Sequence, residues 1–333
     1  MEVFPGVHQL KVPIPGNSLG FLNAYLIKTN DGSMLIDTGW NTEESYSELI
    51  RQLGEAGVTL MDLRYIAITH AHPDHFGLVG RLAPQTSAHL VIHRIEQSFL
   101  DSRYVHYEQL LEEMDHWLQI NGVPDAGRPA LQRASLEVLG LVAVAMPDML
   151  VSGGEHLKLG DFELEMILTP GHSPGHLCFY EPDKKLLFSG DHVLPHITPN
   201  VSMNVQSEKN PLQDYLDALK RVGGLPVNLV LPAHGDIFCD LGGRVAEILE
   251  HHEKRSREML QVFAGEPRTA FQVASHVRWG SDGKRWDDLP SLHKRWAVTE
   301  TLAHLEMLSA QGILGKTERA GLIWYEPKDG PVR

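Results

Sequence analysis

The order of strands and helices in the first part of the chain predicts an α/β fold. Two apolar runs, "FLNAYLIKT" (21–29) and "SMLIDTG" (33–39), are separated by a turn signal, as is typical of paired strands. The segment "TEESYSELIRQLGEAG" (42–57) has apolar residues at helical spacing, and "LRYIAIT" (63–69) has the composition of a buried strand. Strand, helix and strand in this order indicate an α/β architecture.

The next elements follow from similar patterns. Thr42 is the predicted N-cap of the first helix, which is predicted to end near Gly54 or Gly57. Residues 87–93 form a further predicted strand, and a helix is predicted around 211–222. The strands predicted after residue 150 are "FELEMILT" (162–169), "HLCFYEP" (176–182), "KKLLFSG" (184–190) and "VNLVLPA" (227–233).

Residues 93–150 are predicted to form a helical insertion between two strand-rich halves. The runs "RIEQSFLDSRYVHYEQLLEEMDHWLQI" (94–120) and "ALQRASLEVLGLVAVAM" (130–146) have helical periodicity and no strand alternation. The segment "NGVPDAGRP" (121–129) breaks the helix between them. The insertion lies inside a first domain that we predict over residues 1–240.

The end of the chain is predicted to form a small separate domain. A long amphipathic helix connects the two parts over residues 241–266, and its His251 and His252 are predicted to face solvent. From residue 267, two helical segments are followed by two short strands around a turn. Helix, helix and hairpin in this order are typical of a winged helix, so we predict a winged-helix-like domain over 267–333.

Composition narrows the class of protein. The chain carries 29 Lys and Arg against 43 Asp and Glu, a net charge of −14, whereas nucleic-acid binders usually show a basic excess. No run approaches the roughly 18 apolar residues that a membrane span needs. Two cysteines do not make a disulfide framework, and the N-terminus shows no secretory signal, so we expect a cytoplasmic protein. The expected partner is a small-molecule substrate, and the oligomeric state is left open, a dimer included.

Three histidines and one aspartate follow the strand that ends at Thr69, in the stretch "HAHPDH" (70–75). Imidazole and carboxylate groups are costly to bury without partners, but they suit a divalent metal. His70 and His72 lie two apart, so their rings can point the same way, while Asp74 and His75 enter a new turn after Pro73. One loop can therefore supply ligands to two adjacent metal ions.

Further ligands are found just after other predicted strands. His172 lies in "LTPGHSPGH", Asp191 in "LLFSGDHVL" and His234 in "LVLPAHGD". The ends of strands are where α/β proteins build active sites. We therefore expect these three side chains to meet the histidine loop.

The motifs "HAHPDH", "TPGHSPGH", "SGD" and "PAHG", in this order, resemble those of the metallo-β-lactamase superfamily over about residues 5–240. The tail resembles the LACTB2-like branch, and the core is also similar to glyoxalase II. The resemblance implies an αββα sandwich with a dinuclear site. It places His70, His72 and His172 on one metal and Asp74, His75 and His234 on the other, with Asp191 bridging them and Asp37 supporting the loop.

The expected cofactor is a pair of divalent ions, zinc above all, with iron or manganese also compatible with nitrogen and oxygen ligands. Two adjacent ions can bridge a water and lower its pKa toward about 7, and the hydroxide then attacks an acyl or phosphoryl centre. Asp74 and Asp191 are the expected catalytic residues. Asp74 is placed to accept or donate a proton late in turnover.

Other residues near these motifs have expected supporting roles. His176 and His192 are predicted to support the ligands beside them, and His196 to face the substrate. Tyr104, Tyr107 and Trp117 in the insertion are typical of packing residues, and the alternative is that they form a roof over the substrate. In that case the insertion and residues 193–206 set substrate choice.

Three functions are compatible with these features. The first is a hydrolase of a small-molecule ester, thioester or lactone. The second is a nuclease or phosphodiesterase acting on RNA or another phosphodiester, and the third is a non-catalytic winged-helix sensor of a metabolite. Net charge disfavours the last two as nucleic-acid binders, so we favour the first.

Overall fold

The structure is a computed structural model that describes residues 1–134, 136–203, 205–207, 210–280 and 282–328. The chain forms two compact units. Unit 1 contains residues 1–105, 137–199 and 218–245, and unit 2 contains residues 106–136, 200–217 and 246–333.

The strands, in chain order, are β1 (Glu2–Phe4), β2 (Val7–Pro13), β3 (Phe21–Thr29), β4 (Gly32–Ile36), β5 (Leu63–Ala67), β6 (His89–His93), β7 (Met149–Val151), β8 (His156–Leu159), β9 (Phe162–Leu168), β10 (Leu177–Glu181), β11 (Leu186–Gly190), β12 (Leu229–Pro232), β13 (Leu314–Arg319) and β14 (Leu322–Pro327). The α-helices are α1 (Glu43–Glu55), α2 (Pro73–Phe76), α3 (Val79–Leu82), α4 (Arg94–Tyr104), α5 (Tyr107–Ile120), α6 (Arg128–Gln132), α7 (Leu136–Leu139), α8 (Pro211–Gly223), α9 (Leu241–Phe263), α10 (Ala270–Ala274) and α11 (Ser291–Ala310).

Two sheets form the centre of unit 1. The first contains β1 to β7 in sequential order, antiparallel through β4 and parallel from β4 to β7. The second has the order β12-β11-β10-β9-β8, and its pair β11–β12 is parallel. Apolar side chains of both sheets pack together between them, among them Tyr25, Ile36, Met166 and Phe188. This shared layer joins the sheets face to face.

Helices cover the outer faces of the two sheets. Leu49 and Leu53 of α1, Phe76 of α2 and Leu100 of α4 pack with the first sheet in a separate apolar cluster. On the second sheet, the guanidinium of Arg221 in α8 donates a hydrogen bond to the Leu168 carbonyl. The layers are therefore helix, sheet, sheet and helix, which confirms the expected αββα sandwich.

The first helix forms as predicted, but the second half of the insertion does not. The Thr42 hydroxyl accepts a hydrogen bond from the Ser45 amide and caps α1. The predicted helix over 130–146 is wrong, because only the short helices α6 and α7 form there and residues 140–148 are not helical. Backbone hydrogen bonds explain this, since the Leu141 carbonyl accepts from the Asn41 amide and Ala143 pairs with residues 77 and 80. The edge strand β7 is a further element that the pattern did not predict.

Unit 2 has its own apolar core. Leu118 and Leu131 of the insertion pack there with Phe263, Leu305 and Tyr325 from the end of the chain. Because of this packing, the units divide the chain differently from the predicted limits at 240 and 266. Helices α10 and α11 followed by the antiparallel pair β13–β14 have the helix, helix and hairpin order, and the winged-helix assignment stays a prediction.

One of the two histidines of α9, His252, differs from the prediction. His252 is buried, and its Nδ1 lies 3.4 Å from Nε2 of His304, whose Nδ1 lies 2.9 Å from the Ser256 hydroxyl. The prediction of solvent exposure is therefore wrong for His252. Among the described residues, none of the helices is both long and apolar enough to cross a membrane.

Candidate metal centre

The histidine loop begins where β5 ends. Its direction changes at His72, whose extended backbone precedes α2, with Pro73 at the first helical position. Proline suits this position because its missing N–H would have no partner there. Asp74 and His75 then lie in the first turn of α2, while His70 and His72 remain in the extended part. The loop therefore presents two pairs of side chains from two backbone conformations.

Three histidines form the first group of candidate ligands. Nδ1 of His72 lies 2.8 Å from Nε2 of His70 and 3.0 Å from Nε2 of His172. These nitrogens all lie within 4.8 Å of one another. His172 reaches the group from the loop after β9, so residues a hundred positions apart share one site.

Asp74, His75 and His234 form the second group, and their ligand atoms also lie within 4.8 Å of one another. Nε2 of His234 lies 3.2 Å from Oδ2 of Asp74, and Nε2 of His75 lies 3.7 Å from the same oxygen. His234 enters from the loop after β12. This group mixes two nitrogens with one carboxylate.

Asp191 follows β11 and lies between the two groups. Its Oδ2 lies 3.4 Å from Nε2 of His172 and 3.6 Å from Nε2 of His75, and its Oδ1 lies 3.5 Å from Nε2 of His234. One carboxylate therefore contacts ligands of both groups.

Three atoms of this cluster show that its residues fit a metal. Nε2 of His75, Nε2 of His234 and Oδ1 of Asp191 are buried and make no well-aligned hydrogen bond among the described residues, although they lie 3.2–3.7 Å from each other and from Oδ2 of Asp74. Buried polar atoms are normally paired, and an unpaired one costs free energy. Imidazole nitrogens and carboxylate oxygens that converge in this way are the donor set of zinc and similar divalent ions.

The other ring nitrogens of these histidines are held by the protein. His75 Nδ1 lies 2.7 Å from Oδ2 of Asp37, and His234 Nδ1 donates to the Phe21 carbonyl at 3.1 Å. His70 Nδ1 lies 3.0 Å from the Thr69 hydroxyl. With the proton on Nδ1, Nε2 keeps its lone pair toward the site.

Asp37 holds the histidine loop from the end of β4. It is buried, and its Oδ1 accepts a hydrogen bond from the Thr69 amide at 2.9 Å. Its backbone lies in the left-handed region at φ 60°, which is costly for a residue other than glycine. Such strain is often found where the surroundings fix a functional side chain.

The electrostatics of the two groups differ. Burial lowers the pKa of His70 well below its usual value, and the neighbouring histidines lower it further. Burial also opposes charge on His75, but Asp37, Asp74 and Asp191 outweigh it and raise the pKa of His75. Against the same cost of burial, His75 and His234 lower the pKa of Asp74 to about 2. The three-histidine group is therefore neutral, whereas the second group pairs a protonated His75 with ionised carboxylates, and an ion bound there would displace that proton.

His176 and His192 lie beside the site in different ways. His176 Nε2 accepts a hydrogen bond from the Asp191 amide at 3.1 Å, and its Nδ1 lies 2.7 Å from the Thr169 hydroxyl. The ring approaches so closely that a Cβ on Gly190, at φ +51°, would lie 2.6 Å from Nε2. His192 is buried, with its ring centroid 6.0 Å from that of His176.

The remaining predicted site residues lie in different surroundings. The Tyr104 hydroxyl donates to the Ala71 carbonyl at 2.6 Å, which places Tyr104 on the histidine loop. The side chain of His196 is largely exposed, with Nε2 3.6 Å from Asp236. In unit 2, Tyr107 is half-buried at the start of α5, and Trp117 packs against that unit's apolar core.

Two polar residues near the site were missed from the sequence. Glu96, in the first turn of α4, is completely buried and accepts hydrogen bonds from both the histidine loop and the His172 loop. Asn23 of β3 is buried and donates to the carbonyls of Pro232 and Gly235, on either side of His234. A glutamate in a charged helix and an asparagine in an apolar strand carry no motif, so the sequence held no signal for either.

Comparisons with known proteins find relatives of this chain in sequence and in overall structure. A profile of the metallo-beta-lactamase superfamily matches residues 18–234. The chain is 25% identical over 332 residues to a probable metallo-hydrolase, YqjP, of Bacillus subtilis, covering 95% of this chain and 96% of that one. A metallo-beta-lactamase family protein of Thermus thermophilus has a similar structure, with a TM-score of 0.84 and 28% identity over 98% of this chain and 100% of that one. A beta-lactamase domain protein of Burkholderia ambifaria gives a TM-score of 0.82 and 28% identity over 98% of this chain and 94% of that one.

Proposed function

The chain belongs to the metallo-β-lactamase superfamily, and we propose that it is a dinuclear metal-dependent hydrolase of a small-molecule ester, thioester or lactone. One observation carries the proposal. Seven side chains from four loops bring nitrogen and oxygen atoms together in two groups of three, and a third group of His70, His75 and Asp191 joins them. Three of those atoms are buried and make no well-aligned hydrogen bond among the described residues. The superfamily and these groups together support metal-dependent hydrolysis.

The proposed cofactor is a pair of divalent ions, with zinc as the first choice. His70, His72 and His172 would hold one ion, Asp74, His75 and His234 the other, and Asp191 would contact both. Bound divalent ions supply an activated water and stabilise negative charge on the substrate oxygen. Zinc suits a donor set of imidazole and carboxylate, and iron and manganese accept the same ligands.

The protein's own residues prepare this reaction. Asp37 and the Phe21 carbonyl fix the rings of His75 and His234 before any ligand arrives, so no reorientation is needed. Asp74 is ionised at neutral pH because His75 and His234 lower its pKa to about 2. As a carboxylate at the site, it is placed to accept a proton from the attacking water and to return it to the leaving group.

The substrate class rests on charge. A net charge of −14 repels polyanions, so it favours a small neutral or weakly charged substrate over RNA. No cysteine contributes to the two candidate groups. The name of the Bacillus relative, a probable metallo-hydrolase, agrees with hydrolysis and leaves the substrate open.

The test is an activity panel on protein stripped of metal and reloaded with zinc, iron or manganese. Esters, thioesters, lactones and phosphodiesters are compared by kcat/KM, with His234→Ala as the variant that removes one ligand. We expect turnover of a carbonyl substrate that disappears in the stripped protein and falls strongly in the variant. A preference for phosphodiesters would support the nuclease, and a loaded protein without any turnover would support the sensor.

A further inference from the structure

Glu96 is a buried carboxylate that belongs to neither group of candidate ligands. Its side chain is fully buried, and burying a carboxylate is costly unless it is hydrogen-bonded. The Ala71 amide donates to Oε2 at 2.9 Å, the Gly175 amide donates to Oε1 at 2.8 Å, and the Ser173 hydroxyl donates to Oε1. Arg103 lies 4.0 Å away and offsets part of the charge.

The three donors come from the two loops that form the three-histidine group. Ala71 lies between His70 and His72 in the chain, and Ser173 and Gly175 follow His172. One carboxylate therefore joins the backbone that carries two of the ligands to the loop that carries the third.

Helix α4 makes two further contacts with these two loops, a hydrogen bond from Tyr104 and a close packing contact at Gly175. The Tyr104 hydroxyl donates to the Ala71 carbonyl at 2.6 Å, so both the amide and the carbonyl of Ala71 are bound to the helix. On the other loop, Gly175 lies so close that a Cβ there would be 2.8 Å from Nδ1 of His93 and 2.9 Å from Cγ of Glu96. Any larger residue at 175 would push the His172 loop away from Glu96.

We propose that Glu96 is a positioning residue that sets the spacing of His70, His72 and His172 and thereby controls the affinity of the ion at that group alone. The inference rests on the proposed metal-dependent function. A hydrogen-bond partner behind metal ligands typically changes affinity by about 10- to 100-fold. We expect an effect on this ion and not on the other, because the hydrogen bonds of Glu96 go to Ala71, Ser173 and Gly175. Among the described residues, none of them goes to the loop of His234 or to α2.

Asn23 provides the counterpart for the other group. Its side-chain Nδ2 donates to the backbone carbonyls of Pro232 at 2.9 Å and of Gly235 at 2.8 Å. Its side-chain Oδ1 accepts a hydrogen bond from the side-chain amide of Gln9 at 2.8 Å. These bonds fix the loop that carries His234. A substitution at Asn23 should therefore affect the second ion.

The experiment measures the two metal affinities separately. Metal-free protein is titrated with zinc in competition with a chromophoric chelator, and cobalt spectra report the geometry of each site. His172→Ala and His234→Ala identify which binding step belongs to which group. Glu96→Gln is compared with Asn23→Ala and with the control Glu181→Gln. Glu181, at the end of β10, is also buried and accepts a hydrogen bond from the Lys184 amide.

We expect Glu96→Gln to weaken the ion of the three-histidine group by about 10- to 100-fold and to leave the other within about threefold. Asn23→Ala should show the opposite pattern, and Glu181→Gln should change neither affinity. Gly175→Ala keeps the charge of Glu96 and should weaken the same ion as Glu96→Gln, which separates position from charge.

Two results would overturn the inference. Equal weakening of both ions by Glu96→Gln would indicate a charge effect, and a lower melting temperature with both affinities unchanged would indicate a structural role only. A failure of the proposed function would give a different result, because the unmodified protein itself would then bind no metal tightly.

Discussion

Asp191 and His192 are neighbours in the chain, but their surroundings differ. The carboxylate of Asp191 lies within 3.6 Å of a ring nitrogen in each candidate group, whereas His192 is buried beyond His176. The first position therefore affects both proposed ions, and the second affects only the packing behind them.

Asp191→Asn should lower kcat/KM by at least about 100-fold, since it weakens a ligand shared by both ions, while the fold survives. His192→Gln should cost less than about tenfold because its ring is buried beside His176 and belongs to none of the candidate groups. Steady-state kinetics with matched metal content decide this. Similar losses in both variants would show that the roles assigned to these two residues are wrong.

The sequence predicts the seven candidate ligands and, through the resemblance, the supporting Asp37, but it misses two other residues that hold the ligand loops, Glu96 and Asn23. The ligands stand in short motifs after strands, so local pattern is sufficient to find them. Glu96 and Asn23 act on loops far away in the chain, and their roles depend on tertiary approach. The same reason applies to residues 140–148, whose backbone bonds to the loops around residues 41 and 77–80 instead of forming a helix.

At the scale of elements, the residues of helix α5 differ in whether they pack against the apolar core of unit 2. Trp117 packs against the core of unit 2 with Leu118, while Tyr107 at the start of the helix lies outside that cluster. Packing is therefore the structural role of Trp117. A place for Tyr104 and Tyr107 in substrate binding stays a prediction.

Trp117→Ala should lower the free energy of unfolding by about 2 kcal/mol, less than the roughly 3–5 kcal/mol of a fully buried aromatic, because Trp117 is only partly buried. Tyr107→Ala, outside that cluster, should cost less than about 1 kcal/mol. Denaturant unfolding and kcat/KM for two substrates are measured on both variants. A Trp117→Ala protein of normal stability with an altered ranking would contradict the packing role.

Helices α9 and α11 bury a pair of histidines that should make stability depend on pH. Burial, with His251 and Arg255 adding to it, lowers the pKa of His252 to about 3. Burial lowers the pKa of His304 well below its usual value, and His252, Arg255 and His251 lower it further. An unfolded histidine has a pKa near 6.5, so below about pH 6.5 the unfolded chain binds protons that the folded one does not.

Stability should therefore be complete above about pH 6.5 and fall by up to about 1.4 kcal/mol per pH unit for each of these histidines as the pH decreases toward 3. His252→Gln with His304→Gln should reduce this slope. Chemical unfolding of metal-free protein between pH 5 and 7 gives the two slopes. The histidines of the metal centre also contribute to the pH dependence of stability, so the slope of the double variant is compared with that of the unmodified protein. Equal slopes in the two proteins would contradict the prediction.

At the scale of the whole molecule, the two candidate groups predict a metal content near two ions per chain. Both groups lie in unit 1 and share Asp191. Elemental analysis of protein produced with added metal measures the content. Fewer than one tightly bound ion per chain would contradict a dinuclear centre.

The unpaired atoms of His75, His234 and Asp191 have a consequence for folding itself. The folded chain brings these atoms together before an ion binds, so thermodynamic linkage makes the ion a stabilising ligand of the native state. At a free concentration 100 times the dissociation constant, one ion adds about 2.7 kcal/mol. The melting temperature should therefore rise with free zinc and fall in strong chelator, and the protein's resistance to proteolysis should follow the supply of metal.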